Sequence, residues 1–548
     1  MKTNFVTGRL TLFGLFLLCL AASSCKKNHA TDTPDQTGNT TVPANGTRTQ
    51  LTLDSLFLYA KQIYYWNDAI PDYATFQPRN YISKSLALDN YDDELFAITQ
   101  LKINPSTGKP YEFRASDPTI PKYSYIDDIT THNAQQAFVP NATADVELDG
   151  TGYDVGFLTF QGYGTNTSYD LYVTAVFPNS PAAKAGLTRG SIIKKINGTA
   201  IGTNFNTEKT IIYAIPESTT ASVTLSGTKA DGTVFNDLVL TRTKYASSPV
   251  YKTTTITSGA KKIGYLALAR FSDLETTAKK DLDNAFSKFV SDGVTDLIID
   301  LRYNGGGYVN TAEYLVNLIA PSSAKGKMFT EYYNSNMQSG KATILSNQPL
   351  LDANDKVQTQ NGKIVTYADL DYTAAGNVTS FAKAGSLNNV TNVVFIVSGN
   401  TASASELVIN SLKPVSTVKL VGTQTYGKPV GFFPVRLENK YDVYMSLFET
   451  KNALDQGGYF SGFTPDIVDV GNKTVFDDST HDFGDVNESY TKNAISLLVP
   501  AAPVTTANAV MSIRGKSVAV SSALGLPGGS KEIRHFMGMI ETKHKRKN

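Results

Sequence analysis

The stretch Val393 to Phe432 constrains this chain more than any other. Val393, Val394, Phe395, Ile396 and Val397 form a short apolar, mostly β-branched run, the composition of a strand buried on both faces. A loop of small residues follows. From Ser403 onward Leu407, Val408 and Leu412 recur at helical spacing, until Pro414 ends the run because it cannot extend a helix. Ser403 therefore stands at a strand-to-helix turn at the carboxyl edge of a sheet. A hydroxyl there has a rigid mount, with free backbone N–H groups and the positive end of a helix dipole beside it. A second strand-like run, Val418 to Gly422, then brings Lys428 back toward the same edge.

The chain has 548 residues, 41% of them hydrophobic, enough for two to three folded domains plus extensions. Its formal charge of +1 gives no reason to invoke nucleic acid. The two cysteines are Cys19 and Cys25, and the five histidines include no H-E-x-x-H pair, so neither a disulfide framework, a metal site nor a cofactor is expected. Residues 1–24 have a basic start (Lys2, Arg9) and an apolar stretch from Leu10 to Ala22 too short to span a membrane, which reads as a secretory signal. The A-S-S-C that follows resembles a bacterial lipobox, with Ala22 where Leu is usual. Lipidation of Cys25 is therefore expected, which implies an exported protein anchored to the bacterial cell envelope.

Residues 25–50, rich in Thr, Asn, Pro and Gly, read as a flexible spacer. Helical spacing of Leu53, Leu56, Tyr59, Ala60 and Ile63 predicts a small helical N-terminal domain over 51–150, with nothing catalytic in it and with Asp92, Asp93 and Glu94 as a solvated turn. Residues 151–247 alternate strand-like runs with turn signals. Within them SPAAKAGLTRGSIIKKINGTAI (180–201) predicts a short helix, a turn at Gly186 and a strand closed by Asn197-Gly198, and it resembles the PDZ domains of bacterial proteases. That resemblance implies a groove where a peptide adds as a β-strand, its terminal carboxylate held by backbone N–H groups near Gly156, Phe157 and Leu158. The alternative is a β-barrel that serves only as a spacer.

Residues 248–500 change to α/β character. Strands are predicted at Ile263–Leu268 and Asp296–Leu301, with a helix over Ala278–Phe289 between them. D-L-R-Y-N-G-G-G (300–307) then leads into a helix over Val309–Ile319. This is a second strand, glycine loop and helix, and in open α/β sheets such turns meet at the carboxyl edge. No Walker lysine or G-x-G-x-x-G accompanies it, so N–H groups facing a serine fit acyl transfer better than phosphate binding. Residues 327–390 carry no legible role, and 501–548 read as a frayed, finally basic tail.

Together the PDZ stretch, D-L-R-Y-N-G-G-G, T-A-S-A-S-E (401–406), T-Y-G-K (425–428) and G-F-T-P-D (462–466) resemble the C-terminal processing peptidases, or tail-specific proteases, across residues 156–470. The resemblance implies an α/β (α+β) catalytic core of the crotonase-like type beside a PDZ-like β-rich domain and the helical N-terminal domain. It also implies protein or peptide substrates with free C-termini, Ser403 as nucleophile and Lys428 as base, with oxyanion donors at the Ala404 N–H and in the Gly305–Gly306 loop. Ser405 and Ser398 are the rival nucleophiles. One departure stands out: the family often places a glutamine four residues after the lysine, and here that residue is Phe432, leaving Gln424 or Thr425 to orient the amine. The residues alone point to the same chemistry, because the only histidine between 250 and 500 is His481, in the polar stretch DDSTHDFGD. A lysine base must be neutral, so its pKa has to fall from about 10.4 to near 7, which desolvation can supply. The competing reading is a catalytically degenerate lipoprotein that binds peptide or polymer ends.

Overall fold

The computed structural model describes residues 42–131, 146–215, 221–352, 356–469, 475–499, 510–513, 516–519, 523–524, 538–542 and 546. The signal segment and Cys25 lie outside them.

The two apolar runs read as buried strands are neighbours. Asp296–Asp300 pairs in parallel with Asn392–Val397, which in turn pairs in parallel with Thr417–Gly422. The six-stranded sheet continues through Lys261–Leu268 to the antiparallel edge strand Val250–Ser258, and on the other side to Ile467–Val468. Leu297, Ile299, Val393 and Phe395 fill one face and Ile298, Val394 and Ile396 the other, so helices must cover both. Lys279–Asp292, Val309–Ile319 and Ala404–Leu412 pack into the first core, and Ser489–Leu498 lies on the second.

The predicted PDZ elements form a separate β-rich core around Phe157, Phe160, Leu171, Ile193 and Leu225. The short helix Pro181–Lys184 is capped by Ser180, and Asn197 and Gly198 at φ 48° and 81° turn Ile192–Ile196 back on Thr199–Ala200. This domain docks on the sheet through Arg189, whose side chain is 1% exposed. The guanidinium donates to Asp477 Oδ1 (2.6 Å), Thr174 O and Tyr303 Oη. Arg302 completes the network with Asp300, Asp477 and Glu488. Burial pushes the Asp477 carboxyl up, but the two arginines outweigh it and hold it well below the usual range. Arg302 and Tyr303 belong to D-L-R-Y-N-G-G-G, so the ionic network that seats the PDZ domain also fixes the base of the glycine loop.

Two expectations change, and residues 327–390 gain a role. The N-terminal helices Arg48–Ile63 and Ala87–Thr99 share one continuous core with Leu407, Val430 and Phe448, and Tyr125–Asp128 pairs with Tyr441–Tyr444, so this region is a wall of the catalytic body. Glu94 lies in the second of these helices, fully buried, and burial raises its pKa well above the ordinary range; only Asp92 and Asp93 reach solvent. Residues 327–390 supply Lys327–Tyr333 and Val378–Ser380 to a second sheet with Phe448–Asn452 and Val430–Gly431, which braces the segment after Lys428.

Candidate active site

The serine turn and the glycine loop are stitched together. Thr401 Oγ1 donates to Leu301 O (2.8 Å), the Ala402 amide to Asn304 O (3.3 Å) and Ser405 Oγ to Asn304 O (3.0 Å), while Ser398 Oγ donates to Arg302 O. The rival hydroxyls of Ser398 and Ser405 are thus structural ties. Ser403 differs from both. It is fully buried at φ 60°, ψ −112°, a conformation that costs a non-glycine residue about 1–3 kcal/mol, and its Oγ has no hydrogen-bond partner among the described residues. Among the serines of this turn, only its hydroxyl is left for chemistry.

Lys428 is fully buried as well. Its Nζ donates to Tyr123 O (3.2 Å) and lies 4.2 Å from the centre of the Phe432 ring, with the Tyr123 ring at 5.8 Å. Burial lowers its pKa to about 7, against the opposing pull of Glu112 and Glu406 and with help from the neighbouring Lys122 charge. Phe432, standing where a glutamine was expected, is one wall of the pocket that dries the amine. Gln424 and Thr425 turn elsewhere, the first donating to Ser461 O and the second to Glu406 Oε1.

Glu406 joins the two residues. Its Oε2 accepts the amides of both Ser403 (3.0 Å) and Lys428 (2.8 Å), and its Oε1 accepts Thr425 Oγ1 (2.6 Å) and the Gly427 amide (2.8 Å). Burial raises its pKa while these four bonds oppose the rise. All four partners are donors, the arrangement an ionised carboxylate needs. One side chain on the first turn of the serine helix therefore sets the strained turn and the lysine loop against each other. Sequence reasoning placed no role on Glu406, although serine followed three residues later by glutamate is a helix-start pattern.

The N-terminal wall was also missed. Tyr123 Oη donates to Gly427 O (2.6 Å), Lys122 Nζ to Phe460 O (2.8 Å) and Tyr426 Oη to Lys122 O (2.6 Å). Glu112, buried beneath them, accepts from Tyr64, Ser124 and Ser446. Lys122 is itself brought to about 8 by burial.

Of the oxyanion candidates, the Gly305 and Ala404 amides carry no hydrogen bond among the described residues. The Gly306 amide is committed to Asn304 Oδ1 (2.9 Å), which corrects its assignment as a donor. What Gly306 provides is space, since a Cβ there would lie 3.1 Å from Ser403 Cβ. A small cleft of about 30 Å³ beside this loop is lined by Gly305, Gly306, Arg270 and Tyr303 together with Leu158 and Phe177 of the PDZ domain. Gly156, Phe157 and Leu158 are all buried, and the Leu158 amide donates to Ala175 O (3.1 Å), whereas those of Gly156 and Phe157 carry no hydrogen bond among the described residues. His481 bonds Asp478 through Nδ1 (2.8 Å), and that bond raises its pKa; it makes no hydrogen bond to Ser403.

Residues 262–469 match the model of peptidase family S41, and residues 172–225 that of a PDZ domain. The chain is 28% identical over 280 residues to the chloroplastic C-terminal processing peptidase of Tetradesmus obliquus, a match that covers 48% of this chain and 49% of that one. It is 25% identical over 301 residues to a CtpA-like serine protease of Staphylococcus aureus, covering 54% and 50%. It thus spans about half the length of the curated relatives it matches. A solved S41 protease structure from Bacteroides fragilis superposes with a TM-score of 0.53 over 82% of this chain and 97% of that one, at 20% identity, a likeness of fold.

Proposed function

We propose that this chain, which carries a peptidase family S41 domain over residues 262–469 and a PDZ domain over residues 172–225, is a serine endopeptidase of the C-terminal processing type. It hydrolyses peptide bonds with Ser403 as nucleophile and Lys428 as base. The observation that carries this reading is the carboxylate oxygen shared by the two: a strained serine with an unbonded hydroxyl and a buried lysine brought to about 7 are anchored on the same atom of Glu406. Neutral Lys428 takes the hydroxyl proton as Ser403 Oγ attacks the carbonyl carbon. The oxyanion is met by the Ala404 and Gly305 amides, and the protonated amine returns its proton to the leaving nitrogen. Water then repeats the sequence on the acyl-enzyme. Covalent labelling by a fluorophosphonate tests this. The label should map to Ser403 and vanish in Ser403→Ala, and retention of label in that variant would reject the nucleophile.

In this reading the substrates are proteins or peptides of the cell envelope, engaged at their ends by the PDZ domain. Peptides with a free, apolar C-terminus should be cleaved faster than the same peptides amidated, because amidation removes the charge that backbone N–H groups capture. Equal rates would leave the PDZ domain as a scaffold. The chain is further read as a lipoprotein held through Cys25. Cys25→Ser should move it from the membrane to the soluble fraction, since no helix among the described residues is long and apolar enough to cross a membrane. Unchanged fractionation would remove the anchor from the account.

A further inference from the structure

The sequence reading treats residues 501–548 as a frayed tail, yet part of that tail lies in the catalytic cleft. Met539–Ile540 is a strand in parallel register with Gly307 and Tyr308, directly after the glycine loop. On its other side it bridges Phe432, the wall of the lysine pocket. The Gly307 amide donates to Gly538 O (2.7 Å), the Phe432 amide to Met539 O (3.0 Å) and the Glu541 amide to Phe432 O (3.1 Å). Met539 is 0% exposed. A Cβ at Gly306 would lie 2.4 Å from Gly538 O and 3.1 Å from Ser403 Cβ, so this tail carbonyl and the serine side chain border the same small space. Two further backbone contacts follow the tail's course. Ala523–Leu524 pairs antiparallel with Tyr163 and Gly162 on the outer strand of the PDZ sheet, and Arg546, beyond the cleft, bridges Leu370.

We infer that the cleft between Gly306–Tyr308 and Gly431–Phe432 is a peptide-strand site, and that the chain's own segment Gly538–Glu541 is its intramolecular occupant, competing with any peptide that is to reach Ser403. This rests on the proposed hydrolase. The occupant has the chemistry the site selects: an extended backbone bonded on both edges, with a glycine carbonyl beside the serine and an apolar side chain buried next to it. It also accounts for a nucleophile with no exposure. A site open only a tenth of the time binds its ligand about tenfold more weakly in apparent terms.

Met539→Glu in the full chain tests this, because a carboxylate cannot be buried unpaired where Met539 sits. Fluorophosphonate should label that variant, and a chain ending at residue 530, about tenfold faster than the wild type. A synthetic peptide of residues 536–548 should bind the shortened chain carrying Ser403→Ala, measured by fluorescence anisotropy, and should bind the full-length Ser403→Ala chain far more weakly. If no chain is labelled but the peptide still discriminates in this way, the tail assignment stands and the hydrolase reading falls. If deletion unfolds the chain, Met539→Glu alone decides. Equal labelling of Met539→Glu and wild type, with both folded, overturns the inference.

Discussion

Lys428→Arg is expected to lower peptide hydrolysis by about a hundred- to ten-thousandfold, the range a general base contributes, because it puts a permanent positive charge where a neutral amine is needed. Arginine cannot release its proton in a protein, so a base mechanism fails although an electrostatic role would survive. The pH profile separates the two. Lys428 acts only when neutral, and burial brings its pKa to about 7, so the wild-type rate should rise with pH through about 7 and then level off, with no such limb in Lys428→Arg. The direction is fixed by the chemistry, because protonating a base removes activity on the acid side. Retained activity in Lys428→Arg, or a limb that disappears on replacing His481 instead, would refute the assignment.

The elements legible in the sequence were those whose signal is local. The apolar run Val393–Val397, the small-residue loop and the helical spacing after Ser403 are contiguous, and the strand-to-helix turn follows from them. Asn197-Gly198 likewise fixes a hairpin because positive φ at both positions suits few residues. The lysine pocket was illegible for the opposite reason. Tyr123 and Glu112 reach Lys428 from about three hundred residues away, and nothing in KYSYIDD distinguishes a pocket wall from an ordinary edge strand. Glu94 was misread because three consecutive acids look solvated, whereas helical geometry turns the third of them inward. The strand Met539–Ile540 within the tail was missed because composition there is nondescript, and its pairing partners, Gly307, Tyr308 and Phe432, lie more than a hundred residues away.

Glu406→Gln should be nearly as damaging as loss of the base, and for a reason the sequence alone does not reveal. The amide keeps the size of the side chain but replaces one acceptor oxygen with an NH₂ group. Two of the four donors now on the carboxylate then face another donor, at about 1–3 kcal/mol for each buried group left unpaired. Ser403 is held in a strained conformation through this side chain, and a displacement of about 1 Å at a reacting atom can cost about a hundredfold in rate. A structural lesion alone would lower kcat and leave the pH profile in place. Glu406 also acts on the amine electrostatically: its negative charge favours the protonated form of Lys428 and so holds the lysine pKa up. Removing that charge should move the limb of the residual rate to lower pH, and Glu406→Asp, which restores the charge on a shorter arm, should move it back while recovering little of kcat. A Glu406→Gln enzyme with an unshifted limb would mean that the carboxyl is already neutral in the native site, and Glu406 would then be a positioning residue without electrostatic influence on the base.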